Sequence, residues 1–99
     1  MSWSNEVIEA VWKKGTEVSN NDAAAWRQDQ CGAWIAKAQH GNRDSQYGWE
    51  IDHIKAVENG GTDEISNLRP LQWKNNASKQ AGKLTCPVTA QGTSNVEKR

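Results

Sequence analysis

Four side chains in the second half of this 99-residue chain have the types needed to hydrolyse a phosphodiester: Asp52, His53, Asn67 and Asn76. His53 precedes Asn67 by 14 residues, and Asn67 precedes Asn76 by 9. Such a hydrolysis needs an activated water, a cation at the phosphate and leaving oxygen, and a group that holds the base in place. A histidine, titrating near neutrality, can take a proton from water. A carboxylate and an amide oxygen are hard donors suited to Mg²⁺ or Mn²⁺, which retain waters and accept a phosphate oxygen. A second amide, or its backbone carbonyl, can hydrogen-bond the imidazole and fix its tautomer.

The charge distribution around these residues is uneven although the chain is neutral overall. Asp44 to Ser66 holds six acids and one lysine, a net of −5, whereas Asn67 to Lys83 holds Arg69, Lys74, Lys79 and Lys83 and no acid, a net of +4. Charge alone favours ordinary solvated faces, yet an acidic block followed by a basic one also suits a cation site beside a phosphate-contacting surface. Six Trp, one Tyr and no Phe supply the aromatic bulk of a polar chain, enough for a single domain over residues 1–99 with one modest core.

Several elements must position the four residues. Trp3, Val7, Ile8, Val11 and Trp12 recur at helical spacing, with Ser4 as N-cap and Gly15 as stop. Asn21-Asp22 before AAAWRQDQ reads as a short capped helix carrying Trp26 and closed near Gly32, and CGAWI as a short strand. Gln39 to Gly48 is turn chemistry, and the alternating WEIDHI predicts a strand from Trp49 to about Ile54. A loop follows through Gly60-Gly61, then an extended stretch through Asn67-Leu68-Arg69-Pro70-Leu71. A helix is expected from about Trp73 to Ala81 with Gly82 as its C-cap, and a frayed tail from about 93 to 99. Adjacent residues of a regular strand point to opposite faces, so a site using both Asp52 and His53 predicts that the strand loses regularity there.

The run GWEIDHIKAVENGGTDEISNLRPLQWKNNASK resembles the HNH endonuclease motif. That pattern is an apolar strand ending in Asp52-His53-Ile54, a Gly60-Gly61 loop, Asn67-Leu68, and a last His or Asn, here Asn76, followed by Lys79. With Asn in the third position it is an HNN variant of a short bacterial or phage protein. The resemblance implies an α+β fold: a small ββα-metal core, about residues 48–82, with extra flanking short helices. It implies metal ligation by Asp52 and Asn76, general-base catalysis by His53, and orientation of that base by Asn67. It further implies phosphate contacts from Lys74, Lys79 and Arg69, one divalent ion (Mg²⁺ or Mn²⁺ foremost), and duplex or structured DNA as substrate.

Many HNH proteins also carry a zinc ribbon of two CxxC pairs, and this chain departs from them. Gln72 and Asn75 stand at the second pair's positions, and the first retains Cys31 alone, with Trp34 where a partner would fall. No structural zinc ribbon is expected. Cys31 and Cys86 read as two half-buried thiols ahead of a disulfide or shared zinc. Trp26, Trp34, Trp49 and Trp73 are the expected replacement anchors, with base stacking as a lesser alternative for one of them. Glu50 reads as a charged solvent position ahead of an auxiliary role beside Asp52, and His40 as a surface histidine ahead of a metal ligand. The N-terminus lacks a signal-peptide pattern and no run is long enough to span a membrane, which points to a cytoplasmic protein. Against an active nuclease stand a non-catalytic DNA-binding module and an interaction subunit of a phage or restriction assembly, where a homodimer or protein partner would supply the grip on DNA.

Overall fold

The computed structural model describes residues 2–80 and 82–98. Its elements are α1 (Asn5–Trp12), β1 (Trp26–Gln28), β2 (Trp34–Ala36), β3 (Trp49–His53), β4 (Leu68–Gln72), α2 (Trp73–Ala77), β5 (Val88–Gln91) and β6 (Ser94–Glu97), with short 3-10 turns between them. The strands pair as three antiparallel ribbons, β1–β2, β3–β4 and β5–β6. This is the small α+β fold expected, with the ββα unit formed by β3, β4 and α2. The flanks carry α1, a short 3-10 helix at Lys37–Gln39 and two hairpins. No helix among the described residues is long and apolar enough to cross a membrane.

The helix α1 begins where Ser4 Oγ accepts the Val7 N–H at 3.2 Å, satisfying one of its unpaired first-turn donors. It ends at Trp12, with Lys13 as its C-cap, short of Gly15. Its apolar stripe lies against the β3–β4 ribbon: Val11, Trp12, Ile35, Trp49, Ile51 and Leu68 form the core, with Trp3, Val7 and Ile8 packed on it. The Trp12 and Trp49 rings sit 5.4 Å apart. Burying each of these large side chains stabilises the fold by roughly 1.5–3 kcal/mol. Of the four tryptophans expected as anchors, Trp49 and Trp34 are buried while Trp26 and Trp73 are only half-buried. Trp12 is the further anchor, buried from the helix side.

Three expectations fail for identifiable reasons. Residues 22–29 do not form a helix: Asp22 Oδ1 accepts the Ala24 N–H at 2.9 Å to close a turn, and Trp26–Gln28 then pairs with Trp34–Ala36. The wholly buried strand β2 needs a ladder partner, and that pairing overrides the helix propensity of three alanines. The helix α2 stops at Ala77, and Ala81, where it was expected to end, lies outside the described residues. Gln80 and Lys83 exchange backbone hydrogen bonds across a turn, so Gly82 at φ +78° serves that turn and not a helix cap. The tail expected to fray instead forms β6, and the Asn95 side chain accepts the Trp34 N–H at 2.7 Å while donating to the Trp34 and Gln46 carbonyls.

Cys31 and Cys86, expected as separate thiols, are joined in a disulfide. It connects the β1–β2 turn to the segment entering β5. Closing a 55-residue separation restricts the unfolded chain, an effect worth up to about 4 kcal/mol. The Cys31→Ala/Cys86→Ala variant is therefore expected to lose up to about 4 kcal/mol in urea unfolding, and dithiothreitol to lower the melting temperature of the native chain but not of the variant.

Candidate functional site

The β3–β4 ladder runs Trp49↔Gln72, Glu50↔Leu71, Ile51↔Pro70, Asp52↔Arg69 and His53↔Leu68. A two-stranded ribbon has only edge strands, so Pro70 and its missing N–H are tolerated. The pairing stays regular through His53, contrary to the expected break at Asp52-His53; the strand ends there. Alternation therefore puts Trp49, Ile51 and His53 on the α1 face and Glu50 and Asp52 on the α2 face. The contacts agree: His53 lies 5.8 Å from the Trp3 ring, whereas Asp52 meets Lys79, the residue just beyond α2 and its cap.

Asp52 is only 4% exposed, and its two oxygens are both engaged. Oδ2 accepts Arg69 Nε at 2.8 Å, and Oδ1 pairs with Lys79 Nζ. A buried carboxylate requires such partners. Arg69 also donates to Gln30 Oε1. Two of the three bases expected to contact phosphate thus gather at the proposed metal ligand. The third, Lys74, pairs with Glu97 of β6 and lies over the Trp73 ring. Lys79 belongs to the chain after α2 and not to a basic helix.

Glu50 is not the solvated charge expected. Arg43 donates to it through Nε at 2.6 Å and Nη2 at 2.8 Å, and Asn76 Nδ2 donates to the same Oε1 at 2.8 Å. The Arg43 hydrogen bond holds the Glu50 carboxyl below its ordinary range, partly opposed by burial and aided by Asn76. Arg43 is raised correspondingly, first by that same hydrogen bond. His40, expected at the surface, packs half-buried against Trp49, and burial lowers its pKa while Glu50 pulls it the other way.

On the other face, His53 Nε2 lies 2.6 Å from Asp63 Oδ1. An ionised carboxylate can only accept, so Nε2 is the protonated nitrogen of this pair. Asn67 does not touch the imidazole. Its Oδ1 accepts the Lys55 N–H at 2.8 Å, and its Nδ2 donates to the carbonyls of Lys55 and Thr62. Its carbonyl takes the Ile54 N–H at 2.7 Å. Asn67 therefore laces the two ends of the loop that delivers Asp63 to His53. Gly60, at φ +93°, and Gly61, where a Cβ would stand 1.8 Å from the Lys55 carbonyl oxygen, let the loop fold this tightly. Asp63 carries no spacing signal in the sequence beyond its place in the acidic block.

A second polar cluster supports the ββα unit from behind. Asp29 is buried, and its Oδ1 accepts the N–H groups of Cys31 and Ala33, both at 2.9 Å. Oδ2 accepts the Gln72 N–H at 2.9 Å and Asn75 Nδ2 at 3.0 Å. Asn75 in turn exchanges hydrogen bonds with Val88 N–H and carbonyl. Gln72 Oε1 caps α2 by accepting from the N–H groups of Lys74 and Asn75. Gln72 and Asn75, expected from the sequence to stand at positions without zinc-binding cysteines, thus join Asp29 in one hydrogen-bonded group.

Asp52 and Asn76 offer a hard divalent cation oxygen donors of the right chemistry, with Arg69 and Lys79 standing at the Asp52 oxygens that such an ion would share. With Asn76 Nδ2 committed to Glu50, its Oδ1 accepts no hydrogen bond among the described residues. No group of three His, Cys, Asp or Glu placed for a metal occurs among those residues, so one carboxylate and one amide form a sparse set that water would complete.

Asn67→Ala is expected to unlace the loop, seen as faster amide exchange at Lys55 with the core amides unchanged. Asp29→Ala and Asn75→Ala are each expected to cost about 2–4 kcal/mol by stranding buried partners. The double variant should lose clearly less than their sum, because both remove the same hydrogen bond. Urea unfolding of the four proteins measures this coupling.

The sequence model of the HNH endonuclease family matches residues 31–81, just over half the chain, from the disulfide cysteine on the β1–β2 turn through the segment beyond α2. No curated protein and no solved structure matches the chain. The match spans Asp52, His53, Asn67 and Asn76 with the ββα unit that carries them, and the chain belongs to the HNH endonuclease family.

Proposed function

We propose that this chain is a metal-dependent endonuclease that hydrolyses phosphodiester bonds of DNA. The observation that carries the proposal is the convergence on the α2 face of the ribbon: a buried carboxylate, Asp52, lies between two cations, and Asn76 is fixed to Glu50 two residues away. Asp52 and Asn76 would hold the divalent ion, Mg²⁺ or Mn²⁺, which when bound supplies charge stabilisation at the scissile phosphate.

The remaining work falls to side chains. His53 is the general base: with Nε2–H directed to Asp63, Nδ1 is the lone pair that takes the proton from the attacking water. Asp63 is 56% exposed, so its contribution is orientation more than a strong field. His53 leaves the opposite face from Asp52 at the end of the β3–β4 ladder, so the two would address a substrate from either side of the strand end. Arg69 and Lys79, gathered at Asp52, are the cations a substrate phosphate would meet there. Lys74, paired to Glu97, is a peripheral phosphate contact at most.

A second reading rests on the same charges. The chain is neutral, and Arg69, Lys74 and Lys79, the three bases expected to contact phosphate, each face a carboxylate. A non-catalytic module in a phage or restriction assembly, or a homodimer, would obtain its grip on DNA from a partner. Its mark would be DNA binding without cleavage, falling only shallowly with salt.

Plasmid nicking with Mg²⁺ or Mn²⁺ is expected, with complete loss in EDTA. His53→Ala should lower the cleavage rate by about 10²–10⁴-fold while leaving the melting transition in place. If neither plasmid nor branched DNA is cut with any of several divalent ions, the enzymatic reading fails and the binding module stands.

A further inference from the structure

We propose that Glu50, held by Arg43, is a positioning residue that fixes which end of the Asn76 amide faces the cation site. The inference deepens the proposed function and rests on its reading of Asp52 and Asn76 as metal ligands. An asparagine amide has two ends of nearly equal shape, and only the oxygen can bind a cation. With no constraint, the side chain in the metal-free protein could leave either end toward the site and would have to turn Oδ1 inward when the ion binds.

The Glu50 carboxylate removes that ambiguity, because it can accept hydrogen bonds and not donate them. At 2.8 Å from Nδ2, its Oε1 takes the amide nitrogen and turns Oδ1 the other way. The carboxylate needs holding in its turn. Arg43 grips both its oxygens in a fork, at 2.6 and 2.8 Å, from the turn-rich segment before β3. Glu50 belongs to β3 and Asn76 to α2, so the chain Arg43–Glu50–Asn76 also ties the helix to the strand that carries Asp52. The ladder puts Glu50 and Asp52 on one face by their two-residue spacing.

The test is Mn²⁺ titration of the metal-free full chain, with the bound ion read by electron paramagnetic resonance. Glu50→Gln offers Asn76 either a donor or an acceptor, and Arg43→Met releases the carboxylate; each is expected to weaken Mn²⁺ binding about 10- to 100-fold. In an Asn76→Asp background both ends of the side chain are oxygen, so there Glu50→Gln should cost no affinity. The Arg43 variant separates positioning from simple electrostatics, since removing a nearby positive charge would by itself tighten cation binding. The Asn76 side-chain amide resonances in metal-free protein give a second readout: one hydrogen-bonded orientation in the native chain, lost in Glu50→Gln.

Tighter Mn²⁺ binding in Arg43→Met, or an equal loss from Glu50→Gln in both backgrounds, overturns the positioning role. Native protein that binds Mn²⁺ no better than Asp52→Asn overturns the metal reading itself, a failure distinct from the first.

Discussion

The carboxylate of Asp29, far in sequence from the candidate site, is where the separate ribbons of this protein become one structure. It accepts four N–H groups: two from the β1–β2 turn, one from the β4–α2 junction and one from the Asn75 side chain, which reaches onward to β5. An ion removed from water to this degree is tolerable only if its lone pairs are filled, and here they are. The cost of disturbing the arrangement is what makes it specific: shifting any one of the three segments strands a buried donor. The ribbons have little shared ladder to align them, since among the described residues no strand of one ribbon pairs with a strand of another. A directional hub supplies the alignment that hydrophobic packing, being non-directional, cannot.

That junction is tied by a carboxylate, two amide side chains and the neighbouring Cys31–Cys86 bond. The arrangement bears on the site because Asn75 and Asn76 are adjacent on a helix of only five residues. So short a helix has almost no stability of its own. Asn75 anchors it from behind, while Asn76 turns toward Glu50 in front. The two amides thus divide the labour of holding the helix and presenting a donor.

The ββα unit was legible in the sequence because its signals are local: the alternation of WEIDHI, the paired glycines and the fixed distances to Asn67 and Asn76. The strand over Trp26–Gln28 was not, since its residues favour a helix and only the buried Trp34–Ala36 across from them dictates otherwise. Likewise nothing near Ser94–Glu97 announces a strand; its partner and the Asn95 contacts to Trp34 arise from tertiary structure. Residue types, spacing and the family resemblance singled out Asp52, His53, Asn67 and Asn76, but not what each one touches. Asp63 and Arg43 act through partners 10 and 7 residues away, at distances no motif records. The alternation did place Glu50 beside Asp52, and that was the one signal available for its contact with Asn76.

The Cys31–Cys86 bond has a topological consequence. It closes a covalent ring that contains β2, the whole β3–β4 ribbon, α2 and every residue assigned to the site. The exposed stretch around Glu58 and Gly60 lies inside that ring, at the far end of the loop laced by Asn67. A peptide bond hydrolysed there opens the ring without separating its pieces. Asp52 and His53 would remain covalently joined to Asn67 and Asn76 through the sulfur bridge, as two chains of one molecule, and would part only under reducing conditions.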